Sequence, residues 1–80
     1  MDNENKLKQA MSDIFGIEAS SINEKTSVDT IDGWDSLKHL NLVLSLESEF
    51  DITFTEEETI QILSYPLIKI VLEEHGVYFN

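Results

Sequence analysis

The chain has 80 residues, 41% of them hydrophobic, enough for one small core and too few for two, since a chain this short buries only about 60% of its unfolded surface. Sixteen acids against five lysines give a formal charge of −11, which repels phosphate backbones and anionic headgroups and argues against nucleic acid and membrane surfaces as partners. Cysteine is absent, so neither disulfides nor thiolate metal sites can staple the fold, and packing must suffice.

The N-terminal stretch MDNENKLKQAM is polar and acidic at its start, without a basic patch and apolar h-region, and no apolar run approaches the ~20 residues that span a bilayer. A soluble cytoplasmic protein is expected. The aliphatic content and its spacing set disorder aside, and the negative field favours docking on basic surfaces of other proteins.

Leu7, Ala10, Met11, Ile14 and Phe15 recur at helical spacing, and Gly16 stands where a left-handed cap closes a helix. A first helix over about residues 3–15 follows. From Ile17 to Asp35 no period is sustained. The stretch reads as a long loop pinned by buried Ile17, Ile22, Val28, Ile31 and Trp34, with room for a short helical turn, and loops of this length are usually functional.

The second helix starts near Ser36 with Asp35 as its N-cap and runs to about Phe50. At 100° per residue, Leu42, Val43, Leu46 and Phe50 cover one arc and Leu37, Leu40 and Leu44 the adjoining one, with Lys38, Asn41, Ser45 and Ser48 opposite. An apolar arc this wide belongs either to a central helix packed on several neighbours or to one that exposes part of the arc to a partner.

Thr55 with Glu58 three positions on has capping-box spacing and opens a short third helix over about 56–62, its first turn carrying Glu56, Glu57 and Glu58. The preceding DITF alternates like a strand but has no partner strand. Ser64 caps a fourth helix with Pro66 in its first turn, Leu67, Ile68, Val71 and Leu72 on one side and Gly76 past its end. The tail VYFN can pack back or fray. The expected fold is all-α: a four-helix bundle with a long first loop and a short third helix, forming a single domain over residues 1–80.

Ser36 is the residue of chemical interest. At the first helical position its hydroxyl lies beside unpaired amides and the positive end of the helix dipole, so a phosphodiester attached there is electrostatically accommodated. Asp35 opposes that by repulsion unless its carboxylate is occupied in capping or in offering a ligand to a modifying enzyme's metal. The residues alone favour the plain reading, a serine serving as cap or filler at a helix start, and permit the other.

The stretch GWDSLKHLNLVLSLESEFDITFTEEE resembles the carrier-protein family, the acyl and peptidyl carriers. Asp35-Ser36-Leu37 matches the family's D-S-L attachment motif, and the apolar second helix, acidic charge, long first loop and chain length extend the likeness over nearly the whole sequence. The resemblance implies that a phosphopantetheinyl transferase using magnesium places a 4′-phosphopantetheine arm from coenzyme A on Ser36. It also implies that the arm's thiol holds acyl or aminoacyl intermediates as thioesters, and that the protein itself catalyses nothing. Partner enzymes, those that load and transfer the acyl group from basic docking surfaces, then meet Leu37, Leu40 and Leu44 on an otherwise monomeric carrier. Glu47 frames this patch together with Glu49, Asp51, Asp32, Asp35 and Glu56.

Fatty-acid-synthesis carriers usually read GADSLD, whereas this chain has Trp34 before the motif and Lys38 and His39 after it. The altered charge pattern points to a specialised carrier for modified lipid, polyketide or amino-acid-derived products. His39 points toward the apolar arc and reads as a packed helix residue more readily than as a titrating one. Opening of the core among Leu42, Leu46, Leu63, Ile68 and Leu72 would let it sheathe an acyl chain.

Three other readings of these residues compete. Aligning DTIDGWD as a calcium loop puts Val28 at the first ligand position and His39 where the bidentate glutamate belongs, so that reading fails. A serine hydrolase lacks a glycine-rich nucleophile elbow around Ser36, with His39 only a turn away on the same helix. The stronger alternative is an acidic helical adaptor that binds a partner through the second helix and leaves Ser36 unmodified.

Overall fold

The structure, a computed structural model, describes residues 2–79. Four α-helices form in chain order: α1 (Asn3–Phe15), α2 (Ser36–Phe50), α3 (Glu56–Gln61) and α4 (Tyr65–Glu74), with a single 3₁₀ turn at Ala19–Ser21 inside the first loop. No strand occurs among the described residues, so DITF is a connection without a partner strand.

Each helix end has a local cause. The Asp2 side chain accepts from the Asn5 amide to open α1, and Gly16 closes it at φ 69°, a left-handed conformation in which a Cβ would be strained. Asp35 opens α2 by accepting from the Lys38 amide, and Asp51 ends it at φ 55°, tolerated because aspartate visits this region more readily than most residues. The Thr55–Glu58 capping box is complete, and Ser64 accepts from the Leu67 amide at the start of α4.

The core joins Leu7, Ala10 and Met11 of α1 to Leu42, Val43 and Leu46 of α2 and to Tyr65, Ile68, Val71 and Leu72 of α4. Ile22, Ile31 and Trp34 of the first loop are buried among them, Ile17 is half-buried, and Val28, expected as an anchor, is 37% exposed. The reason is in the backbone. The Val28 amide donates to the Leu63 carbonyl and the Tyr65 amide to the Thr26 carbonyl, so the loop is stitched to the α3–α4 junction, and the Val28 side chain faces outward.

On α4 the buried stripe is Tyr65, Ile68, Val71 and Leu72, which leaves Leu67 42% exposed and corrects its expected place on the apolar side. Tyr65 takes that place and donates its hydroxyl to Glu4 at 2.9 Å, tying α4 to α1. Burial and this acidic partner push the Tyr65 phenol well up, while the same bond, helped by Lys69 and Lys8, holds the Glu4 carboxyl below its usual range. The tail packs back through Val77, which is buried, and half-buried Phe79, while Tyr78 is exposed; Asn80 lies outside the described residues.

Candidate functional site

Ser36 is exposed at the first position of α2, directly after the N-cap. Asp35 spends carboxylate Oδ1 on the Lys38 amide at 2.9 Å, and its carbonyl accepts from the His39 amide at 2.8 Å. The Asp35 carboxylate thus has the capping task that sequence reasoning allowed it. No acid lies within the first turn itself, so the positive end of α2 meets the region of the hydroxyl.

Trp34 precedes the cap and is buried, its ring 4.8 Å from that of Phe15 at the end of α1. Its indole N–H donates to Nδ1 of His39 at 3.0 Å. Lys38 reaches back across the same junction and donates to the Ile14 carbonyl at 3.0 Å, placing a cation at the negative end of α1. The two residues that depart from the family's usual pattern after the motif are therefore both structural ties.

Val28, Trp34, Asp35, Ser36, His39 and Leu63 line one shallow groove of about 380 Å³. A larger hollow, about 630 Å³, lies under the first loop between Phe15, Thr26 and Gly33 and does not include Ser36.

Further along α2, Leu37, Leu40 and Leu44 are 67%, 53% and 56% exposed, while Leu42, Val43 and Leu46 face the core. The wide apolar arc is thus divided between core and solvent. Ile60 of α3, not singled out from the sequence, is 69% exposed as well. It sits in the acidic helix TEEETIQ, where a single apolar residue carries no periodic signal.

Asp32, Asp35, Glu49, Asp51 and Glu56 are exposed, whereas Glu47 is half-buried and accepts from the Phe54 amide at 2.7 Å. That bond fixes the turn after α2 and engages one oxygen of the carboxylate. Glu58 is also engaged, through the Thr55 amide and the His75 ring at 2.9 Å, and these bonds hold its carboxyl below the usual range.

The molecule is a small helical bundle that presents an uncovered serine at a capped helix start, flanked by an exposed leucine row and acids, and no helix among the described residues is long and apolar enough to cross a membrane. No family model matches the chain. A relative from Clostridium acetobutylicum, named acyl carrier protein, is 37% identical over 59 residues, which cover 74% of this chain and 77% of that protein. The chain belongs to the acyl carrier protein family.

Proposed function

We propose that this protein, over its 80-residue chain, is one carrier domain that bears a 4′-phosphopantetheine arm on Ser36 and presents acyl or aminoacyl thioesters to biosynthetic enzymes. The observation that carries this reading is Ser36 itself, exposed in the family's D-S-L motif at the start of a 15-residue helix. The group fits there: the hydroxyl is accessible, Asp35 is turned to capping, and the dipole of α2 favours an attached phosphodiester.

Attachment makes a bond from the Ser36 oxygen to the phosphorus that bears pantetheine and breaks the pyrophosphate bond of coenzyme A, releasing adenosine 3′,5′-bisphosphate, with the hydroxyl proton passing to a base on the transferase. Once bound, the arm supplies a thiol that holds the cargo as a tethered thioester, which raises its effective concentration at each enzyme. This chain's own contribution is to anchor, to present and to be recognised. Leu37, Leu40 and Leu44 supply apolar contact, and the surrounding acids, with the free oxygen of Glu47 among them, steer basic partner surfaces.

The proposed setting is the cytoplasm, the working form a monomer, and the pathway a specialised one of lipid, polyketide or amino-acid-derived type. Trp34, Lys38 and His39 around the motif support that choice.

Incubation with coenzyme A and a broad-specificity phosphopantetheinyl transferase, followed by intact mass, tests the reading. One phosphopantetheine is gained by the natural chain and none by Ser36→Ala. An unchanged mass in the natural chain would leave the helical adaptor as the better description.

A further inference from the structure

Both ring nitrogens of His39 are engaged. Nδ1 accepts the Trp34 indole N–H at 3.0 Å, so Nε2 carries the proton and donates to the Thr59 carbonyl at 2.6 Å. The Trp34 bond selects the tautomer, and Phe15 packed on the indole ties that selection to the end of α1. Among the described residues, the bond to Thr59 is the one hydrogen bond that joins α2 to α3.

α3 depends on such ties. None of its six residues is buried; its apolar anchors are the residues that flank it, Phe54 and the C-cap Ile62, and between them the helix has no buried side chain of its own. Between those anchors its capping box, the His75–Glu58 contact from the end of α4, and His39 from α2 hold it. Three residues beyond His39 stands Leu42, and three beyond Thr59 stands Ile62, both fully shielded from solvent. The His39–Thr59 bond therefore sits across the seam between α2 and α3 at the end that carries Ser36, with the core one turn further in. His39 also lines the groove that contains Ser36.

From this arrangement we propose that His39 is a positioning residue that bolts the α2–α3 seam shut, so that cargo borne on Ser36 stays in the surface groove beside Val28, Trp34 and Leu63 and does not pass between Leu42 and Ile62. The statement about cargo rests on the carrier reading; the bolt does not. Continuity selects the occupant, because Ser36 is itself part of the groove wall.

Amide hydrogen exchange on the unloaded chain, read by NMR, tests the bolt. His39→Leu speeds exchange of the Thr59, Ile60 and Gln61 amides about tenfold, the consequence of one lost hydrogen bond in a locally opening element, and leaves Leu7 to Met11 unchanged. His39→Gln, whose side-chain amide can still donate to the Thr59 carbonyl, restores slow exchange. His39→Asn, too short to span the seam, does not. Gln is also the better helix former, so the amides of α2 itself are read in the same spectra: a propensity effect moves Leu40 to Val43, whereas loss of the bolt moves Thr59 to Gln61 and leaves those in place; the pair serves equally if His39→Leu fails to fold.

On the loaded protein, a long acyl chain leaves the Leu42 and Ile62 methyl signals in place in the natural sequence and moves them in His39→Asn. Equal α3 exchange in the natural chain, Gln and Asn forms would overturn the bolt. Methyl shifts as large in the natural chain as in His39→Asn would overturn the cargo statement. Failure to acquire the arm removes the carrier reading, while the exchange comparison still decides the role of His39.

Discussion

α1 and α3 are held in place by different physics. α1 buries Leu7, Ala10 and Met11 against α2 and α4, whereas α3 buries none of its side chains and is fixed by a capping box and two histidines reaching in from its neighbours. Apolar burial is non-directional and tolerant of small displacements; hydrogen bonds from an imidazole are directional and are made or broken. The molecule thus sets a rigid half, α1 with α2 and α4, beside an element tethered to the core only at its two ends, through Phe54 and Ile62, and otherwise by a few polar contacts. Ser36 lies on the rigid side of that division, at the start of a helix anchored by Leu42, Val43 and Leu46.

Core truncation breaks the rigid half with the largest effect. Leu46→Ala, at a fully shielded site, is expected to lose about 2–5 kcal/mol of global stability, from lost transfer free energy plus the cavity left behind. Ile60→Ala on α3, at 69% exposure, is expected to change it by less than about 0.5 kcal/mol. Denaturant unfolding followed by circular dichroism measures both, and similar losses would erase the contrast.

Removing a cap on α3 sharpens the comparison at intermediate size. Thr55→Ala takes away the acceptor of the Glu58 amide, a loss of about 1 kcal/mol. It should appear as faster amide exchange confined to α3, with α1 protection retained. Uniform acceleration along the chain would show that α3 is not a separate opening unit.

Acid gives the smallest effect and one with a definite sign. Glu58 has its carboxyl lowered by the Thr55 amide and by His75, so its contribution is present above the unfolded carboxylate value near 4.5 and is lost as pH falls through the lower folded value. Glu4 behaves alike through Tyr65. Glu58→Gln should therefore be less stable than the natural chain near neutrality and approach it in acid, as followed by unfolding midpoints across pH. A difference that stays constant with pH would mean the carboxylate charge plays no part.

The helix ends were legible because their causes are local. Asp35, Thr55 with Glu58, Ser64 and Gly16 each act within a few residues of themselves, and the observed boundaries follow them. Long-range ties were not legible. The outward turn of Val28 follows from its amide meeting the Leu63 carbonyl, and the burial of Tyr65 accompanies a hydroxyl bond to Glu4, sixty-one positions away.

The division of the α2 arc was readable as a pattern, since Leu37, Leu40 and Leu44 fall together, but the pattern alone left the choice between core and solvent open. Glu47 and His39 show the same limit. Helix periodicity gives neither one its hydrogen-bond partner: Glu47 meets the Phe54 amide in the turn after α2, and His39 meets the Thr59 carbonyl twenty residues on.

Peptide mapping of the transferase-treated protein is the most direct trial of the proposed attachment. Cleavage after Lys25 and Lys38 isolates residues 26–38, in which Thr26, Ser27, Thr30 and Ser36 are the hydroxyl-bearing side chains. Fragmentation is expected to place the added phosphopantetheine on Ser36. Its appearance on another of these hydroxyls, or an unmodified peptide, would contradict the assignment.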